Sequence, residues 1–172
     1  MQASTLPMAS LLTDVQLVDM QPGAYVFGAW HSVNVVVWMR SATIEIIQRF
    51  EQGVLDRARQ HPMLSSIHII TVEAGPPEPQ AREALIAVNE RLAHTVACGA
   101  VVIERGGVTG IALRSAITGM IILAPRQYRI KVFDTLEPCA PWVVAQHSKR
   151  AGIEVDPGML LQVLRNVRAA AE

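Results

Sequence analysis

Apolar and polar residues alternate along the chain with two periods, and the switching between them predicts a strand–helix fold. Val15-Gln16-Leu17-Val18 alternates over four positions and reads as a short strand. Gln21-Pro22-Gly23 marks a turn, and Ala24–Trp30 and Val33–Met39 are then both β-rich. They predict a hairpin turning at His31-Ser32. Val33, Val35 and Val37 fall on one face and Val36 and Trp38 on the other, the pattern of a strand covered on both sides. A helical period follows from Ser41 or Thr43, either of which can cap it, to about Gln60. Ile44, Ile47, Val54, Leu55 and Ala58 form its apolar stripe, with Glu45, Arg49, Glu51, Asp56 and Arg57 mainly opposite. His61-Pro62 ends it.

Ile67–Glu73 reads as a strand, and the loop Ala74–Pro79 leads into a second helix over about Gln80–Ala97. Its predicted stripe is Ala84, Leu85, Val88, Leu92, Thr95 and Val96, with Gly99 as its end signal. Ala100–Glu104 is the next strand, Val108–Ala124 a third helix, Tyr128–Phe133 a strand and Leu136 to about His147 a helix. Asp156 and Pro157 supply a cap and first position for a terminal helix, Gly158–Ala171, striped by Leu160, Leu164 and Val167, with Arg165 and Arg168 outward. The expected order is β-β-α-β-α-β-α-β-α plus an extra C-terminal helix. That is an α/β fold with a mixed, largely parallel sheet opened by a hairpin. Residues 1–12 are expected to form a flexible tail, 13–147 the domain, and 148–172 a linker and amphipathic helix.

Composition sharpens one element. The chain of 172 residues is 51% hydrophobic and only 17% charged, with fifteen basic and fifteen acidic side chains. Zero net charge and only two lysines, Lys131 and Lys149, lack the electrostatic footprint of a nucleic-acid binder. Little charge repulsion and much apolar material favour self-association, so a homodimer is expected. Val108–Ala124 is the longest apolar stretch and sits at the lower length limit for crossing a bilayer. It contains Arg114, Ser115 and Thr118, and Gly106-Gly107 and Pro125 punctuate it, so no membrane span is expected. Its Ile111, Leu113, Ile117, Met120, Ile121, Ile122 and Leu123 cover more than one face, with Gly110, Ala112, Ala116 and Gly119 allowing close approach. Ile111, Leu113, Ile117, Met120 and Ile121, with Leu160 and Leu164 of the terminal helix, are therefore the expected contact surface. The other cover open to the apolar helix is the terminal helix of the same chain.

Catalytic and metal chemistry find little support. His31, His61, His68, His94 and His147 include no HExxH and no HxH, and Cys98 and Cys139 have no CxxC spacing. His94 and Cys98 are four apart on the predicted second helix, which supplies two metal ligands without a third. His68 lies in an apolar strand and is expected to be satisfied by a neighbour. Arg105-Gly106-Gly107-Val108-Thr109-Gly110 joins a strand to a helix, so Arg105, Gly106, Gly107 and Thr109 are the candidate anion or ligand loop, with Gly75 on the loop beside it. It lacks the P-loop lysine. No cofactor and no enzymatic activity are expected. Met1–Leu12 lacks the basic start and apolar core of a signal peptide, which makes the cytoplasm the expected compartment.

Over about residues 13–147 the chain resembles the STAS and SpoIIAA-like superfamily, named for sulphate transporters and anti-sigma-factor antagonists. The resemblance rests on element order, on Trp38-Met39-Arg40-Ser41-Ala42-Thr43 entering the first helix, and on Val132-Phe133-Asp134-Thr135-Leu136-Glu137 with Trp142 beyond. It implies a cytoplasmic, non-catalytic protein-interaction module. In sporulation-type members a Ser or Thr between the third strand and second helix is phosphorylated. The matching segment here, Glu73-Ala74-Gly75-Pro76-Pro77-Glu78-Pro79, has no hydroxyl, so no phosphosite is carried over. The resemblance also implies an alternative, a small-ligand or lipid-binding domain with its mouth at Gly75–Pro79 and Arg105–Gly110.

Overall fold

The computed structural model describes residues 15–123 and 128–172; the expected tail, 1–12, lies outside them. The described elements are β1 (Gln16–Gln21), β2 (Tyr25–Trp30), β3 (Val33–Trp38), α1 (Ile44–Ala58), β4 (Leu64–Ile70), α2 (Pro79–Leu92), β5 (Val96–Ile103), α3 (Gly107–Leu123), β6 (Arg129–Phe133), α4 (Leu136–Ala151) and α5 (Pro157–Ala169). The strands form one sheet in sequence order, β1 to β6. β2 pairs antiparallel with β1 and with β3, and β3 through β6 run parallel. This is the mixed α/β fold expected, with β1 added as a full edge strand. The β2–β3 hairpin turns where predicted, with Trp30 opposite Val33 and His31 at φ 49. Two-residue hairpin loops require such positive φ.

A chain that advances one strand at a time through crossovers of one hand puts every connecting helix on the same face. α1, α2 and α3 accordingly pack on one face, around Tyr25, Phe27, Val36, Trp38, Val101 and Ile103. α4 and α5, which follow the last strand, cover the other face against Val33, Val35, Val37, Ile67, Ile69 and Val102. With helices on both sides, β2, β3 and β5 are buried at every position.

Several boundaries move for identifiable reasons. α2 stops at Leu92 instead of Ala97, because Thr95 Oγ1 donates back to the Leu92 carbonyl at 2.9 Å and the chain turns. Val96-Ala97-Cys98-Gly99, which mimicked a helix stripe and its end signal, instead opens β5. β4 starts three residues before the expected Ile67 and ends at Ile70. Thr43, not Ser41, caps α1. The buried stripe of α1 is Ile46, Ile47, Phe50, Val54 and Arg57, rotated from the expected one, and Ile44 and Leu55 are exposed. α4 runs to Ala151 and closes on Gly152 in the left-handed region. The residues expected to begin a linker at 148 thus belong to that helix, and α5 buries Leu160, Val163, Leu164 and Val167 in the domain's own core.

Candidate functional site

The face under α1–α3 is not filled. Ser66 on β4 stands directly opposite Gly99 on β5, so two of the smallest residues share one row at the centre of the sheet. Above that depression lies a cavity of about 130 Å3. Its floor is Trp38, Ser66, His68, Gly99, Val101 and Ile130, and its walls come from Phe50 of α1, Leu85 and Leu92 of α2, and Ile117 and Met120 of α3. Arg40, Ala42, Ala74, Gly75 and Pro77, on the loops after β3 and β4, also border it. These loops lie at the carboxyl ends of parallel strands, where open α/β sheets usually bind ligands.

Five polar side chains border this apolar space: Arg40, Ser66, His68, Asn89 and Tyr128. His68 stacks on Trp38 with an interplanar angle of 9° and meets Phe50 edge-on. Trp38 Nε1 donates to His68 Nδ1 at 3.1 Å. An indole N–H is only a donor, so Nδ1 is unprotonated and the neutral ring carries its proton on Nε2. Burial holds the imidazole in that neutral form by pushing its pKa down to about 4. Nε2 meets no acceptor among the described residues. The Tyr128 hydroxyl donates to Asn89 Oδ1 at 3.1 Å, and burial pushes its pKa up to about 12.

A second polar array is sealed in the opposite face. His147 is fully buried, with Ser32 Oγ 2.9 Å from Nε2 and Ser65 Oγ 2.8 Å from Nδ1. Ser65 Oγ also lies 3.3 Å from Cys98 Sγ. Serine, histidine and thiol are thus brought together from separate elements, but none of them borders the cavity. Burial raises the thiols of Cys98 to about 11 and Cys139 to about 12, the reverse of what activates a nucleophile. The arrangement satisfies buried polar groups. A wider polar depression of about 420 Å3 lies between β1 and α1. Arg49 pairs there with Asp19 at 2.5 Å, while Arg57 Nε donates to the amide oxygen of Asn34 at 2.6 Å.

The residues singled out from sequence separate into groups. Leu113 and Ile117 of α3 are buried against Val101 and Ile103, and Leu160 and Leu164 of α5 are fully buried on the other face. These four, expected at a contact surface, instead hold the chain's own core. Met120 and Ile121 are half-buried and border the cavity. Ile111 alone of the group is exposed, at 63%, flanked by Val108 at 83% and Ile122 at 69%. α5 does not cover that side of α3, because the sheet separates them. Gly75 borders the cavity, whereas Arg105, Gly106, Gly107 and Thr109 do not. Gly107 adopts φ 68 and Gly110 sits so close to the Arg105 carbonyl that a Cβ has no room. Those glycines serve the turn geometry.

His94 is exposed in the turn after α2 and Cys98 is buried in β5, so the two are not one helical turn apart. Among the described residues no three His, Cys, Asp or Glu side chains form a metal-binding group, and no helix is long and apolar enough to cross a membrane. The cavity residues that sequence reading passed over are Ser66, Gly99, Asn89 and Tyr128. A small pair in register across two parallel strands is visible only once the pairing is known. No family model, curated protein or solved structure matches the chain.

Proposed function

We propose that this is a non-catalytic ligand-binding domain, which takes an apolar molecule of about one ring between the sheet and α1–α3. The cavity carries this reading. Protein interiors hold few voids larger than a water molecule, and unfilled apolar space costs stability. At about 130 Å3 the space is comparable with an apolar cavity of about 150 Å3 that admits benzene. That is small for a long acyl chain, which narrows the ligand to compact molecules. The resemblance to STAS and SpoIIAA-like proteins remains part of the proposal, supported by element order, as does a cytoplasmic role.

Gly99 provides the test. A Cβ there meets Ile130 and Tyr128 at 3.4 and 3.5 Å, ordinary contact, so a side chain can start from this position, and the methyls of a valine would take up the space beyond it. Toluene titrated by calorimetry binds the wild-type chain, and Gly99→Val abolishes binding while circular dichroism is unchanged. Equal binding by both, or no binding by the wild type, overturns the reading.

Self-association is the second reading, and the exposure of Val108, Ile111 and Ile122 on the outer side of α3 favours it. Its occupant is a second copy of this chain, whose zero net charge gives little repulsion between copies. Ile111→Glu then lowers the mass in sedimentation equilibrium from dimer to monomer, with folding intact. An unchanged mass sinks it. Ile117 is unsuited to the same experiment, because a carboxylate there enters the core.

A further inference from the structure

We infer that the molecule taken by this cavity is an uncharged carbonyl compound of about one ring, its oxygen accepting from His68 Nε2–H; the inference rests on the cavity reading above. The proton inventory of the lining decides the chemistry. His68 Nδ1 is occupied by the Trp38 indole, which leaves Nε2–H as a donor without an acceptor among the described residues. His68 is only half-buried where it borders the cavity, so a ligand oxygen seated there can accept from Nε2–H in place of water. Asn89 Oδ1 already accepts from Tyr128, so the amide presents its N–H groups as further donors. Ser66 Oγ can serve either way. Asn89, Ser66 and Tyr128 can each also accept, so the group that fixes the requirement is His68 Nε2–H, which can only donate and calls for an acceptor oxygen.

Charge narrows the class further. Among the described residues that line the space, Arg40 is the one permanently charged side chain, and it is exposed at the mouth. His68 stays neutral and lies two residues inside the end of β4. A carboxylate seated at its depth would be desolvated without a countercharge. A ketone, aldehyde or amide carbonyl incurs no such cost. Trp38 is already stacked with Tyr25 and with His68, so Phe50 and His68 supply the aromatic surface against which a ring would rest.

The experiment uses four probes of similar skeleton: acetophenone, 1-phenylethanol, cumene and benzoate, each titrated into the intact chain by calorimetry. Acetophenone is expected to bind about tenfold tighter than cumene, the scale of one net hydrogen bond, and tighter than 1-phenylethanol and benzoate. In His68→Phe the advantage over cumene disappears. Should that variant fold poorly, the wild-type His68 Nε2–H resonance supplies the same answer, moving downfield with acetophenone and not with cumene. Cumene binding as tightly as acetophenone overturns the ligand class while leaving the cavity reading standing. Benzoate binding tightest also overturns it, and places recognition at Arg40. Failure of all four probes to bind overturns both.

Discussion

Two histidines on opposite faces of one sheet show how the same side chain serves packing in one place and leaves capacity in another. His147, from α4, has a serine hydroxyl on each nitrogen and no accessible surface. His68, from β4, has a partner on one nitrogen only and borders a cavity. Adjacent residues of β4 take part in the two arrangements, since Ser65 faces His147 and Ser66 faces the open space. Period-two alternation thus divides a closed core from a recessed one within a single strand. His147 is fully satisfied inside the chain, whereas His68 keeps a donor that no described residue engages.

Truncations on the two faces put the largest number on that contrast. Leu164 is fully buried where α5 meets the sheet, so Leu164→Ala opens a new void and is expected to cost about 2–5 kcal/mol. Leu85 borders space that is already empty and is only half-buried, so Leu85→Ala is expected to cost less than half as much. Urea unfolding of both variants measures this. Equal losses would mean that the α1–α3 face is as tightly filled as the other, and the contrast would fail.

The sequence made the architecture legible because helices and strands leave different periods in it. The hairpin at His31-Ser32, the parallel strands and the cap at Asp156 follow from local chemistry. What escaped depended on contacts distant in sequence. Arg57 was expected to face solvent with the polar side of α1, yet it is buried, donating to Asn34 and to the His31 carbonyl at the hairpin turn. Nothing within α1 encodes a partner 23 residues earlier. Leu160 and Leu164 showed an apolar stripe correctly, but a stripe does not say whether its cover is the same chain or another. Gly99 looked like a helix end because the preceding Val96-Ala97-Cys98 suits either structure. Its role as open floor emerges only from the register that sets it beside Ser66.

Acid titration should separate the two histidines through the nature of their partners. Burial lowers both pKa values, that of His68 to about 4, against about 6.5 in an unfolded chain. Between those values the unfolded state binds the extra proton, so this contribution to stability is complete above pH 6.5 and falls as pH drops toward 4. For His68 the loss amounts to at most about 3.5 kcal/mol, from about 1.4 kcal/mol per unit of pKa difference. The partners then decide which ring dominates. Serine hydroxyls can rotate to accept, so an imidazolium at His147 keeps both hydrogen bonds. The Trp38 indole cannot accept, so a proton arriving on His68 Nδ1 destroys the bond between them. Urea midpoints of the wild type should therefore decline from pH 6.5 to 4, and His68→Phe should flatten most of that decline. A slope unchanged in His68→Phe but lost in His147→Phe would reverse the assignment, making the sealed face the acid-sensitive one.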